Sequence, residues 1–330
     1  MQRYNNILLA IYVSLILITA SAENLRTNLI NASVTTNASS IDNVNTSISY
    51  QNGNIETSTT NFDPISNQSS LNTYASFYPI YDFVKKIGME KVNVSTVVPP
   101  GIEPHDFEPT AKQVVELQNA DLIFINGAGF EEWLDRIGND NIVELSKGLS
   151  IENADSVPDP HIWLDPVLVK NLSTAILDAL ITRDPQNADY YRNNNIEFNT
   201  KLDKLNSDIK NNLTDCLLND FIAFHDAFGY FANRYGLIQH SIEGLAPEAG
   251  VNPQSVSDAI NLSRQLNISV IFGEENIDPR LSETIANEIG GRVLLLNPIE
   301  LISQEEQDLG EDYISKMYDN LNNLKIALGC

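Results

Sequence analysis

Pro99-Pro100-Gly101-Ile102-Glu103-Pro104-His105-Asp106-Phe107-Glu108-Pro109 joins a strand-like run at 92–98 to a helix-like run that begins near Thr110. The turn cluster delivers His105 to the C-terminal mouth of a strand, which is where open α/β sheets bind their ligands. The sequence contains 4 histidines, so each can be weighed singly. Two more share this setting: His161 in Asp159-Pro160-His161-Ile162-Trp163-Leu164-Asp165-Pro166, and His225 in Phe224-His225-Asp226-Ala227-Phe228. One histidine at such a place is more often a core or surface residue than a ligand. Three at such junctions read as the imidazole ligands of a single metal ion. His240, on a strand-like run with no motif around it, reads as structural.

Outward from this stretch the chain alternates short apolar strands with helices, the pattern of a parallel α/β sheet. Phe77, Ile80, Tyr81, Val84 and Ile87 recur at helical spacing. Helix 111–120, strand 122–125 and helix 130–137 follow, and Pro166 opens a helix running to about Arg183. Residues 186–213 then carry no strand signal, proline or glycine. They predict one long helix that crosses a domain boundary. Beyond it the alternation resumes with strands at 221–224, 237–242, 269–272 and 293–296, helices at 228–235, 255–266 and 279–289, and a last helix at 312–327. The predicted fold is therefore two α/β lobes with parallel sheets, joined by one backbone helix. The expected organisation is a signal peptide or membrane anchor at 1–22, a spacer at 23–72, an N-terminal lobe at 73–185, the linking helix at 186–215 and a C-terminal lobe at 216–330.

Lys and Arg number 20 against 44 Asp and Glu, a net charge of −24. That balance repels nucleic acid and anionic membranes. Arg3, the apolar run 7–19 and the small residues Ala20-Ser21-Ala22 read as an export signal, or as an anchor if left uncleaved. Residues 23–72 are rich in Asn, Ser and Thr and predict a disordered spacer, too poor in apolar surface to offset its ordering entropy. In an exported chain the Asn-X-Ser/Thr sequons at Asn31, Asn37, Asn45, Asn67, Asn93, Asn171, Asn212, Asn261 and Asn267 are glycosylation candidates. The 2 cysteines, Cys216 and Cys330, can bridge within the chain, pair between chains or stay free.

Two of the three histidines precede the long helix and one follows it, which places the metal in the cleft between lobes. Imidazole suits zinc, and three histidines leave a fourth position open to a carboxylate, an amide oxygen or water. Glu274, closing a strand, is a candidate. Asp106, Asp165 and Asp226, each beside or near a histidine in sequence, are candidates to orient an imidazole through its second nitrogen or else to cap a helix. Trp133 and Trp163 read as packing residues, and Glu131-Glu132 as a solvated helix face.

Together these blocks resemble the zinc/manganese solute-binding proteins of metal-uptake ABC transporters. The resemblance is carried by residues 104–109, by Asn119-Ala120-Asp121-Leu122-Ile123-Phe124, by Gly127 to Leu134, by His161 to Pro166, by His225 to Tyr230 and by Ile271-Phe272-Gly273-Glu274. It implies a metal-binding receptor that delivers its cargo to a membrane permease, with His105, His161 and His225 as ligands. A histidine at the third place favours zinc over manganese, since manganese prefers oxygen donors. The fourth place departs from the pattern. Many members have aspartate in a Leu-Asp-Pro segment, whereas this chain has Leu296-Asn297-Pro298, so Asn297, Glu274 or water must complete the shell. The histidine-rich loop of some zinc members is also missing.

The expected function is an extracytoplasmic zinc receptor, monomeric, tethered to or near the membrane, partnered by an ABC permease and without catalysis. The rival is an exported zinc hydrolase with a water on three histidines and Glu274 as general base. No His-Glu-X-X-His segment supports that rival.

Overall fold

The computed structural model describes residues 44–51, 54–61, 70–151, 153–154, 157–245, 253–275 and 277–330. The export signal at 1–22 lies outside the described residues. The chain divides into two compact units, 1–69 and 70–330. In the first unit, β1 (Val44–Gln51) pairs antiparallel with β2 (Asn54–Asn61), Gln51 opposite Asn54. Both strands fall inside the stretch read as a spacer. Val44, Thr46, Ile48 and Tyr50 alternate with Asn45, Ser47, Ser49 and Gln51.

The second unit holds the two predicted lobes. In the first, β3 (Leu71–Ala75), α1 (Tyr78–Gly88), β4 (Val92–Thr96), α2 (Ala111–Gln118), β5 (Leu122–Ile125) and β6 (Ile142–Glu144) form a parallel sheet of order β4-β3-β5-β6. The ordered lobe thus begins inside the stretch read as spacer. Leu71 and Asn72 open an inner strand, and Thr73 is fully buried. A minor hairpin, β7 (Asn153–Ala154) with β8 (Val157–Pro158), leads to α3 (Pro166–Arg183). Asp165 caps α3 by accepting from the Val167 amide at 2.8 Å, and Pro166 occupies the first turn.

α4 (Ala188–Asn212) is the predicted long helix, about 38 Å at 1.5 Å per residue. Its Tyr191, Phe198, Leu202, Leu205 and Ile209 are buried, and it packs on α1, α3 and the C-terminal helix. The second lobe comprises β9 (Asp220–Ala223), α5 (Gly229–Tyr235), β10 (Ile238–Ser241), α6 (Pro253–Leu266), β11 (Val270–Gly273), α7 (Arg280–Ile289), β12 (Arg292–Leu295), α8 (Gln304–Asp308) and α9 (Tyr313–Leu328). Its sheet is again parallel, of order β10-β9-β11-β12. Tyr313, at the start of α9, packs edge-on against Phe83 of α1, and its hydroxyl donates to the Trp163 carbonyl at 2.7 Å. One apolar cluster therefore runs from the first sheet through α4 to the second.

The helix expected at 130–137 is not formed. Only Leu134–Arg136 makes a single 3-10 turn. Gly127, Ala128 and Gly129 all have positive φ, and Gly138 closes the segment in the same region. Glu131 is buried, not solvated. Its carboxylate folds back to accept from the amides of Asn126 at 2.8 Å and Gly127 at 2.9 Å, and Glu132 alone is exposed. Cys216 and Cys330 form a disulfide. Among the described residues no helix is long and apolar enough to cross a membrane.

Candidate metal centre

In each sheet the first strand has its successors on opposite sides, so the strand order reverses at β3 and at β9. Such switch points open a crevice at the carboxyl ends of the strands. His105 follows β4, His225 follows β9, and Glu300 lies in the loop after β12. His161 sits just before the turn Ile162–Leu164 that leads into α3.

The structure brings His105, His161 and His225 together with Glu300 in one group that could hold a metal ion. The Nε2 atoms of His105, His161 and His225 lie 3.3, 3.4 and 3.6 Å from Glu300 Oε1. The Nε2 atoms of His161 and His225 are 3.3 Å apart. A tetrahedron with donors at about 2.05 Å, the Zn–N distance, has edges of roughly 3.3–3.4 Å. The three edges to Glu300 and the His161–His225 edge thus stand at or close to the separations that a tetrahedral zinc ion requires, and all four donor atoms lie within 4.8 Å of one another. His161, His225 and Glu300 are all under 5% exposed, and His105 is partly exposed at the rim.

Neither predicted fourth ligand occupies that place. Glu274 Oε1 is 2.7 Å from His225 Nδ1, on the far side of the ring from the other donors. Asn297 uses its amide within the chain: Oδ1 accepts from Ile299 N at 2.6 Å, and Nδ2 donates to Glu275 at 2.7 Å. Glu300, three residues further on, carries the charge that the resemblance placed at 297. The available signal was a carboxylate in the loop after the last strand of a parallel sheet, the same rule that singled out the histidines.

The orienting groups also differ from those expected. Asp159 Oδ1 holds His161 Nδ1 at 2.7 Å and accepts from the His161 amide at 3.0 Å. Glu274 does the same for the His225 ring. A carboxylate can only accept, so each Nδ1 bears a proton, and in the neutral ring Nε2 is left to present its lone pair. Asp165 instead caps α3 and pairs with Arg234, Asp106 is exposed, and the Asp226 amide donates to the Gly244 carbonyl. His240 lies apart from the cluster, 2.8 Å from Asp220. Trp163 packs on the site, its ring centroid 5.1 Å from that of His161, and Trp133 packs in a separate apolar cluster.

Burial works against a charged His225 ring, but Glu274 and Glu300 outweigh it and hold its pKa well above the ordinary histidine value. Burial opposes protonation of His161 in the same way, and its bonds to Asp159 and Glu300 carry the balance upward. Burial would raise the Glu300 pKa, yet the histidines facing it hold the carboxyl well below the usual range. Glu103, whose carboxylate accepts from the His105 amide at 3.2 Å, is pushed up by burial and by the nearby Glu300. Converging lone pairs and one carboxylate in a buried pocket demand a cation, which protons or a metal can supply.

The chain matches the family described as zinc-uptake complex component A, periplasmic, over residues 73–327. It is 34% identical over 279 residues to the high-affinity zinc uptake system protein ZnuA of Bacillus subtilis, covering 78% of this chain and 88% of that one. It is 31% identical to the zinc-binding lipoprotein AdcA of Streptococcus pneumoniae, a match spanning 77% of this chain but only 55% of that longer protein. The crystal structure of the metal-dependent lipoprotein YcdH from Bacillus subtilis superposes with a TM-score of 0.72 at 35% identity, covering 78% of this chain and all of that one. With its two parallel-sheet lobes, its linking helix and this match over most of its length, the chain belongs to the ZnuA family of zinc-uptake solute-binding proteins.

Proposed function

We propose that this protein is an extracytoplasmic receptor that captures zinc and hands it to an ABC permease for import, with His105, His161, His225 and Glu300 as the four ligands. The observation that carries the reading is the 3.3–3.6 Å spacing of three imidazole nitrogens about one carboxylate oxygen. Three nitrogens and one oxygen favour zinc over manganese. Neutral imidazoles and one carboxylate offset half of the ion's charge in a largely buried pocket.

A hydrolase needs a coordination position free for water. Four protein donors leave none, and Glu274, the supposed base, is committed to His225. Calorimetric titration of the full chain with Zn²⁺ and Mn²⁺ tests the receptor reading. One tight zinc site with weaker manganese binding is expected, lost in His105→Ala, His161→Ala and His225→Ala. Wild-type affinity in those three variants, or metal-dependent hydrolysis of a generic ester, would sink it.

The disulfide favours an oxidising, extracytoplasmic setting, in keeping with the export-type segment at 1–22. We read the stretch between that segment and β3 as the tether of a monomeric receptor. Asn93, Asn171, Asn261 and Asn267 are exposed and open to glycosylation. Asn212 is instead engaged by Lys325 and by its own helix.

A further inference from the structure

Glu300 reaches the imidazoles from a loop with an unfavourable backbone. Its neighbour Ile299 is fully buried and has a φ of +62°, a region that β-branched residues avoid. Such a conformation persists only where the surroundings over-determine it.

Asn297 and Asn320 supply that determination. The Asn297 side chain accepts from the Ile299 amide at 2.6 Å, directly across the strained residue. The Asn297 main chain is gripped on both sides by Asn320 of α9. Asn297 N–H donates to Asn320 Oδ1 at 2.8 Å, and Asn320 Nδ2 donates to the Asn297 carbonyl at 2.7 Å. Asn320 is 2% exposed and is not one of the four converging groups. An amide side chain donates from one atom while it accepts at another, which suits it to span both main-chain groups. It satisfies both main-chain groups of Asn297 as a neighbouring strand would.

We infer that Asn320 is a positioning residue for the metal site: it clamps Asn297, and the clamped loop must present Glu300 to the three histidines. This rests on the reading of Glu300 as a ligand. Without the clamp, Ile299 relaxes to negative φ and Glu300 swings away. The site then becomes three imidazoles and water, without its one anionic donor.

The test uses the full chain as wild type, Asn320→Ala, Asn320→Asp, Glu300→Gln and the Asn320→Ala/Glu300→Gln double variant. Zinc affinity is measured by competition with a chromophoric chelator. The visible spectrum of bound Co²⁺ reports the donor set, and amide exchange at Ile299 in the metal-free protein reports the loop. Asn320→Ala should weaken zinc roughly 10–100-fold, the usual range for loss of a group that supports a ligand, and Glu300→Gln, which removes the anionic donor itself, at least as much. The double variant should bind no more weakly than Glu300→Gln. The Asn320→Ala cobalt spectrum should match that of Glu300→Gln, and its Ile299 amide should exchange faster. Asn320→Asp keeps the bond from the Asn297 amide but sets a carboxylate oxygen against the Asn297 carbonyl, so it should weaken zinc at least as much as Asn320→Ala. It decides the matter by the same affinity and spectrum if the alanine variant does not fold.

Wild-type zinc affinity and cobalt spectrum in the Asn320 variants, alongside a weakened Glu300→Gln, would overturn the positioning role and leave Glu300 as ligand. Additive losses in the double variant would overturn it equally. Wild-type binding by Glu300→Gln would remove Glu300 from the shell and the inference with it.

Discussion

The indole Nε1 of Trp163 donates to the carbonyl oxygen of Pro298 at 2.7 Å. The bond ties the segment that carries His161 to the loop that carries Glu300, one from each lobe. Trp163 is fully buried, so no water replaces the bond when it is lost. Trp163→Phe keeps an aromatic ring in place but leaves that carbonyl unsatisfied. It should cost about 1–3 kcal/mol of stability, the penalty for an orphaned buried acceptor. Urea unfolding of the metal-free protein measures this, and an unchanged midpoint would show that the carbonyl finds another donor.

Glu274 separates an orienting group from a ligand. Glu274→Gln can still accept from His225 Nδ1–H but removes the negative charge beside the ring. Zinc affinity should fall by about tenfold, the lower end of what such supporting groups contribute. The Co²⁺ spectrum should keep its wild-type shape because the four donors are unchanged. A changed spectrum would place Glu274 on the metal.

The raised pKa values of His161 and His225 give zinc binding a definite pH dependence. Zinc needs neutral imidazole, so protons compete from above the ordinary histidine range of about 6.5 downward. Affinity should begin to fall at a higher pH than for an isolated histidine site. The metal-free protein should show the opposite trend in stability. A group whose folded pKa is raised stabilises fully below its unfolded pKa and loses that contribution as pH rises through the folded value. The thermal midpoint of the chelator-treated protein should therefore drop as pH rises from about 6.5 through the raised pKa of His225. The drop should be smaller in Glu300→Gln, where one of the two flanking charges is gone. A midpoint flat across that range would mean that the imidazoles are neutral without metal.

Much of this arrangement is legible in the residues, and the exceptions share a cause. β5 and β11 are recognisable because all four residues of each are buried, so their apolar runs are unbroken. β3 is equally internal but reads Leu71-Asn72-Thr73-Tyr74-Ala75, and its polar residues blend into the Asn/Thr-rich stretch before it. The 130–137 segment has helical spacing, yet a run of positive φ and a carboxylate folded onto its own turn override that spacing. The three histidines stand out because each follows a recognisable motif. Glu300 does not, because its placement depends on an isoleucine at positive φ and on Asn320 of the last helix, α9. Long-range hydrogen bonds of this kind leave no mark on local spacing.

The Cys216–Cys330 disulfide settles the question of pairing that the sequence left open. It spans a separation of 114 residues and so encloses the whole second lobe, tying the end of α9 to the segment after α4. The Leu218 amide also donates to the Leu328 carbonyl at 3.0 Å, so the two segments are held side by side without the bridge as well. Cross-linking mainly restricts the unfolded chain, and a loop of this length is worth about 4–5 kcal/mol on chain-entropy grounds. Cys216→Ser/Cys330→Ser should therefore lower stability by about 2–5 kcal/mol, the range seen for native bridges. Tyr313, Leu321, Leu324 and Leu328 remain buried against the lobe, so the fold and zinc affinity should persist. Urea unfolding of the wild type with and without reductant, beside the double serine variant, checks the expectation. A reduced wild type as stable as the oxidised one would mean that packing of α9 alone holds the C-terminus.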